Sequence, residues 1–247
     1  MDVLRSSGST SVAQLADSLD VAEATVRRAL QRLAREGRVI RTYGGATVAG
    51  ACPPLASRDP LSDRKRAIGA AAADLVVDGS TVALSSGSTV LEVARHLRDR
   101  HLTVITNALD VTAVLMDAAG ISLIVLGGVV LPEMHSTRGH LTEDALRDLR
   151  ADTVFMGASA IDLDSGFMTE HVGEIAVDRA LRAIAREAVV VADSTKFDRV
   201  APGFMFGFAA VGTLVTDRHI RHELVAAVEA TGTRVLIGAE GGAASDS

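Results

Sequence analysis

The apolar positions near the start of the chain fall into two helical stripes separated by a tight turn. Val12, Leu15, Ala16 and Leu19 stand at i, i+3, i+4 and i+7, on one face of a helix. A second pattern runs from Glu23 to Arg35, with Val26, Ala29, Leu30 and Leu33 as its buried face and Asp20-Val21-Ala22 as the turn before it. Thr25, Arg28 and Arg32 share the opposite face. Ala22 holds the N-cap position, where Ser or Thr would stabilise the helix start by about 1 kcal/mol more. Gly37 suits a C-cap, and Arg38 to Tyr43 then reads as a basic extended segment ending in Tyr43-Gly44-Gly45-Ala46.

Beyond Asp63 the pattern alternates between helical and extended segments. The helices expected are Arg64–Val77, Val90–Leu97, Ala108–Ala118, Thr142–Leu149, Val172–Arg186 and Arg221–Ala230. The strands expected are Thr81–Leu84, Thr103–Thr106, Ser122–Leu126, Thr153–Gly157, Ala188–Ala192, Gly212–Thr216 and Arg234–Ile237. Short β-branched runs alternating with helices predict an α/β fold with a mostly parallel sheet covered on both faces. Gly50, Pro53, Pro54 and Pro60 mark a linker between the two regions. The organisation expected is a DNA-binding domain over 1–48, a linker over 49–62, an α/β domain over 63–239 and a flexible tail over 240–247.

Composition narrows the class. No apolar run approaches the roughly 20 residues that cross a bilayer, and no signal peptide opens the chain. Cys52 is the single cysteine, so an intramolecular disulfide is impossible and a cytoplasmic setting is expected. There is no Trp and one Tyr among 247 residues, which leaves the core to aliphatic side chains. The net charge of −6 argues against a generic binder of polyanions. It is unevenly spread: residues 1–50 hold 7 Arg against 5 Asp and Glu, whereas the remainder holds 18 basic and 26 acidic residues. A mildly basic module on an acidic body suits a protein that reads DNA with one end.

The arginine face gives that expectation its chemistry. A short helix, a tight turn and a second helix with clustered arginines form a helix-turn-helix whose second helix enters a major groove. Thr25, Arg27, Arg28 and Arg32 are placed for base edges and phosphates, with Arg38 and Arg41 on backbone or minor groove. One such module contacts too little DNA for tight specific binding, so a homo-oligomer, dimer or tetramer, reading repeated half-sites is expected.

The second chemical feature is Ser85-Ser86-Gly87-Ser88-Thr89, between a strand and a helix. Backbone N–H groups and hydroxyls there converge on a point that suits a phosphate. Thr106-Asn107, Gly127-Gly128, Asp162 and Asp193-Ser194-Thr195-Lys196 also follow strands, and in a parallel sheet these loops share the carboxyl edge, where open α/β sheets bind ligands. Glu174, on a following helix, could add an acid. His135, His140 and His171 have no metal-ligand spacing, so neither metal nor cofactor is expected.

These residues carry a resemblance. Ala22-Glu23-Ala24-Thr25-Val26-Arg27-Arg28-Ala29-Leu30 closely resembles the DNA-binding helices of DeoR-family bacterial transcriptional regulators, and Arg41-Thr42-Tyr43-Gly44-Gly45-Ala46 resembles their wing. The likeness continues through Ser86-Gly87-Ser88-Thr89, Thr106-Asn107, Leu126-Gly127-Gly128, Gly157 to Asp162 and Asp193-Ser194-Thr195-Lys196-Phe197, covering nearly the whole chain.

The resemblance implies a winged helix-turn-helix followed by a sensor domain similar to sugar-phosphate isomerases, and a repressor of a carbohydrate operon answering to a phosphorylated sugar. It implies DNA contacts from Ser11, Glu23, Thr25, Arg27, Arg28, Arg32, Arg38, Arg41 and Tyr43. It implies a phosphate loop of Ser86, Gly87, Ser88 and Thr89, with Thr106, Asn107, Gly127, Asp162, Glu174 and Lys196 around the sugar. Lys196 is the cation expected to balance the phosphate.

Three positions depart from the family pattern. Ser85 stands where an Asp is usual and Asp178 where a Lys is common. Only Val3 and Leu4 are left to supply the apolar face of the family's first helix. The competing reading is a sugar-phosphate isomerase with an accessory helix-turn-helix. Isomerisation needs a set of acid and base groups, and Ser159 lies where the resemblance would put a catalytic Asp, so binding without turnover is expected.

Overall fold

The computed structural model describes residues 9–19, 21–35, 39–42, 45–48 and 61–239. The chain divides into two units, residues 1–60 and 61–247.

In the first unit, β1 (Ser9–Ser11) leads directly into α1 (Val12–Leu19), and α2 (Glu23–Arg35) follows the turn. Val12, Leu15 and Ala16 of α1 are buried with Val26 and Leu30 of α2, and Leu33 and Ala34 pack against them. Two positions of the expected stripes lie outside this core. Leu19 is 53% exposed, because α1 ends there and the chain turns back, with Val21 N–H donating to Ala16 C=O at 3.1 Å. Ala29 is exposed, since at 100° per residue it sits at the margin of the face that Val26 and Leu30 centre. Ala22 C=O accepts from Thr25 N–H at 2.8 Å, so α2 starts where the sequence indicates.

Strands β2 (Val39–Thr42) and β3 (Gly45–Val48) are antiparallel, with Thr42 opposite Gly45. β1 adds to the other edge of β3, Ser9 opposite Thr47. The basic segment after α2 is therefore a wing anchored by a third strand. Ser9-Thr10-Ser11 has no apolar alternation to announce that strand.

The second unit is built on seven strands. In chain order its helices are α3 (Ser62–Ala73), α4 (Ser88–Leu97), α5 (Leu109–Leu115), α6 (His140–Arg147), α7 (Ile175–Ile184) and α8 (His222–Ala230). The main sheet comprises β4 (Thr81–Leu84), β5 (Leu102–Thr106), β6 (Ile121–Val125), β9 (Ala151–Met156), β12 (Ala185–Val191), β14 (Thr213–Asp217) and β15 (Arg234–Gly238). Its order is β15-β14-β12-β9-β4-β5-β6, parallel throughout.

Successive residues of each strand face opposite layers. Val82, Leu84, Val104, Phe155, Val189 and Val215 point into the layer of α3, α4 and α5. Ala83, Ile105, Val154, Met156, Val190 and Leu214 point into the layer that contains Leu146, Val177, Leu181, Leu224 and Val228 of α6, α7 and α8. This two-faced burial explains the nearly continuous apolar runs of these strands.

Three short insertions after main-sheet strands complete the unit. β7 (Val129–Leu131) and β8 (Ser136–Arg138) form an antiparallel ribbon after β6. β10 (Ala160–Asp162), β11 (Gly166–Thr169) and β13 (Gly203–Phe206) form a small antiparallel sheet assembled from the segments after β9 and β12. Phe167 stacks at an angle on Phe206 and Phe208 there. Among the described residues, no helix is long and apolar enough to cross a membrane.

Candidate functional site

The order of the main sheet fixes where a ligand can enter. From β4 the chain proceeds outward through β5 and β6, then returns to place β9 on β4's other side. The carboxyl ends of β4 and β9 therefore flank the point where strand order reverses, the crevice in which open α/β sheets bind small molecules. The Ser85–Thr89 loop leaves β4 at that point. It is tied to the neighbouring strand by Ser85 N–H donating to Phe155 C=O at 3.0 Å.

Gly87 stands at the helix N-cap with φ 123°, a conformation that L side chains rarely adopt, and no side chain caps α4. The first turn of α4 therefore faces the crevice without a protein acceptor from its cap, and the helix dipole favours negative charge there. A cation is already present: Lys65 of α3 donates from Nζ to Ser88 Oγ at 2.9 Å. The sequence places Lys65 in a charged helix start, Asp63-Arg64-Lys65-Arg66, with nothing to distinguish it from its neighbours. Only the packing of α3 on α4 brings it to the loop.

On the other side of the loop the chemistry reverses. Ser86 Oγ donates to Glu174 Oε1 at 3.3 Å, and Ser136 Oγ of β8 donates to the same oxygen. Glu174 is buried at the end of the 3₁₀ turn Val172–Glu174 that enters α7. Asp178 lies one helical turn further on and is also buried; its burial, then the negative charge of Glu174, pushes its carboxyl up to about 7. Arg138 of β8 lies across the same turn, its Nη1 within 1.9 Å of where a Cβ on Gly173 would sit. A side chain at position 173 would push that guanidinium aside. Ser136 and Arg138 are contributions the sequence reading missed, because three-residue strands carry too little periodicity to be recognised.

The remaining predicted residues form two further groups. Thr106 and Asn107 end β5. The Thr106 hydroxyl donates to Leu84 C=O at 2.7 Å and accepts from Ala108 N–H at 3.0 Å, so it serves the backbone. Asn107 donates from Nδ2 to Thr137 C=O at 3.0 Å, while its buried Oδ1 has no partner among the described residues. Gly127 C=O accepts from Thr142 Oγ1 at 2.7 Å. This group joins the first through β8, whose Ser136 reaches Glu174 and whose Thr137 reaches Asn107.

Asp162 and Lys196 make up the third group, each next in the chain to one partner of an isolated parallel bridge between Ile161 and Phe197. Asp162 Oδ1 accepts from Ser165 N–H at 2.8 Å and Asp164 N–H at 3.2 Å, and the Ser165 bonds hold its carboxyl below the usual range. Lys196 ends the 3₁₀ turn Ser194–Lys196. Asp193 starts that turn by accepting from Thr195 N–H at 3.0 Å, and its buried Oδ2 has no partner among the described residues. Asp217 accepts from Ser194 N–H at 2.7 Å and Ser194 Oγ at 3.0 Å. Among the described residues no hydrogen bond links this third group to the Ser86–Thr89 loop. No group of three or more His, Cys, Asp or Glu is placed to hold a metal among them either.

In the first unit, Thr25, Arg28 and Arg32 are exposed on α2, with Glu23 at its first turn. Arg28 Nε donates to Ala24 C=O at 3.3 Å, which lays its guanidinium along the helix. Ser11 ends β1 and Arg41 lies in β2, but their side chains, like that of Arg27, fall outside the described residues, as do Arg38 and Tyr43 altogether. Residues 1–8, positions 49–60 of the expected 49–62 linker and the expected tail over 240–247 also fall outside them, while Ser62 of that linker already opens α3.

Comparison with known proteins agrees with this architecture. The family model described as DeoR C terminal sensor domain matches residues 61–218, and that described as DeoR-like helix-turn-helix domain matches residues 1–50. The transcriptional repressor AccR of Agrobacterium fabrum is 34% identical over 227 residues, covering 90% of this chain and 88% of that protein. The HTH-type transcriptional repressor CsqR of Escherichia coli is 34% identical over 214 residues, covering 85% and 82%. The lactose phosphotransferase system repressor of Lactococcus lactis is 29% identical over 228 residues, covering 89% of each. Among solved structures, a ribose 5-phosphate isomerase A from Methanocaldococcus jannaschii overlaps 56% of this chain and 55% of its own, at 22% identity and a TM-score of 0.40. With both family models matched in order and relatives that are repressors along most of their length, this chain belongs to the DeoR family of transcriptional regulators and is a regulator, not an enzyme.

Proposed function

We propose that the protein represses a carbohydrate-metabolism operon and that a phosphorylated sugar or a close relative, bound in the crevice between β4 and β9, sets its grip on operator DNA. The observation that carries this reading is the pairing of Lys65 with Ser88 at the uncapped start of α4, directly at the strand-order reversal. A dianion leaving water needs both directed N–H donors and a nearby positive charge, and this corner supplies them. Ser86, Glu174 and Ser136 beside it suit the hydroxyls of a sugar. The Lactococcus relative, a repressor of a lactose phosphotransferase system, supports the sugar class.

In this reading residues 1–48 hold the operator through Thr25, Arg27, Arg28 and Arg32, the wing residues Arg38 and Arg41 contact backbone or minor groove, and two or more copies read repeated half-sites. Calorimetric titration against a panel of sugar phosphates, followed by a mobility-shift assay on the protein's own upstream DNA, tests it. A ligand that binds, that alters the shift, and that Gly87→Asp or Lys65→Ala abolishes is the expected result. A ligand indifferent to both substitutions would move the site elsewhere.

A further inference from the structure

We infer that the effector carries a protonated amine as well as its phosphate, the amine seated between Glu174 and Asp178, with Asp178 the residue that selects it. The inference rests on the sugar-phosphate reading of this crevice and adds the chemistry of its other end. Asp178 is 8% exposed, and among the described residues its carboxylate has neither a hydrogen bond nor an ion pair. Its charged neighbour is Glu174, at i−4 on the same helical face, a like charge that adds to the cost of burial.

Among the described residues no cation forms an ion pair with either acid: Arg182, at i+4 from Asp178, donates instead to the Ala210 and Ala185 carbonyls. Glu174 receives two serine hydroxyls on one oxygen, which satisfies hydrogen bonding there without neutralising charge. Arg138 packs on Gly173 and, among the described residues, forms no ion pair with either acid. A second buried acceptor, Asn107 Oδ1, also lacks a donor, and it belongs to the residue that grips β8 beside Ser136. The crevice therefore offers donors and a cation at Ser88 and acceptors with negative charge at Glu174 and Asp178.

A neutral hydroxyl would fill a hydrogen bond but leave Asp178 either holding its proton or repelled by Glu174. An ammonium group satisfies both, because it brings several donors and a full positive charge. A metal ion is a poorer occupant, since no third Asp, Glu, His or Cys joins the pair among the described residues.

The test is calorimetry on the full chain with matched probes: glucosamine 6-phosphate against glucose 6-phosphate, and galactosamine 6-phosphate against galactose 6-phosphate. In at least one pair the amine should bind about tenfold or more tightly than its hydroxyl counterpart. Asp178→Asn should bring that ratio to about twofold or less, and Asp178→Lys should invert it, with circular dichroism verifying that both variants are folded.

Repeating the titration near pH 7 in buffers of different ionisation enthalpy adds a readout that a merely structural role would not move. The amine should release protons on binding, because Asp178 ionises when the cation arrives, and Asp178→Asn should abolish that release. Equal binding within both pairs, or a preference that survives Asp178→Asn, overturns the inference and leaves the sugar-phosphate reading standing. Absence of binding by all four probes at millimolar concentration overturns the inference, and failure of the wider sugar-phosphate panel as well overturns both.

Discussion

Replacing Asp178 with asparagine should change how the stability of the protein depends on pH, and by an amount the structure sets. The Asp178 carboxyl is pushed up to about 7 from its ordinary 3.8, by burial first and by Glu174 second. At about 1.4 kcal/mol per unit, that displacement corresponds to about 4 kcal/mol. The sign follows from proton counting. Between the two values the folded protein holds a proton that the unfolded chain has released, so stability falls as pH rises through that window and levels off above about 7. The contribution is fully present only below 3.8, and between pH 5 and pH 8 roughly 2–3 kcal/mol of it disappears.

An asparagine cannot ionise, so this loss is absent from Asp178→Asn. The difference in unfolding free energy between variant and wild type should therefore shift in the variant's favour by roughly 2–3 kcal/mol from pH 5 to pH 8. Urea unfolding followed by circular dichroism measures it. Intrinsic fluorescence would not serve, because the chain has no Trp and its single Tyr is Tyr43, outside the sensor unit. The expected change in midpoint difference across the range is about 1 M urea. If the two stability curves run parallel within about 0.5 kcal/mol over the whole range, Asp178 does not hold a buried proton and the reasoning fails.

Arg28→Ala should weaken operator binding by about 1–3 kcal/mol and relax preference at one base position if the side chain reads a guanine; a mobility-shift titration across single-base operator variants decides it. Leu30→Ala removes a buried side chain from a very small core and should cost about 2–5 kcal/mol, enough to abolish DNA binding while calorimetry still detects the effector. Light scattering at micromolar concentration should return at least a dimeric mass, and a strictly monomeric one with and without operator would contradict half-site reading.

The long alternating segments were legible because burial on both sheet faces writes apolar runs directly into the sequence. All seven main strands lie within a few residues of where β-branched clusters place them. The helix-turn-helix was legible from one-sided stripes, of which Val12, Leu15, Ala16, Val26 and Leu30 are buried. What escaped were β1, β7, β8, β10, β11 and β13, three or four residues each, too short for an apolar alternation to show. The site suffered most from this. The loop and Glu174 could be named from residue type and family likeness, but Ser136 reaches Glu174 only through the β7–β8 ribbon, and Lys65 reaches Ser88 only through helix packing. The unusual Asp178 was visible as a departure from pattern, whereas its lack of a partner is a property of three-dimensional packing.

The pairing of β4 with β9, Val82 opposite Thr153, also sets a timetable for synthesis. As the chain leaves the ribosome, β4, β5 and β6 are available first and can pair in order, but one edge of β4 stays bare until β9 follows. Open strand edges and non-local pairings slow folding and invite wrong partners during that interval. The Ser85–Thr89 loop waits longer still, because Glu174 is made after β9. An effector therefore meets no finished crevice on a nascent chain. It can prolong the life of a completed sensor, but it cannot hasten the making of one.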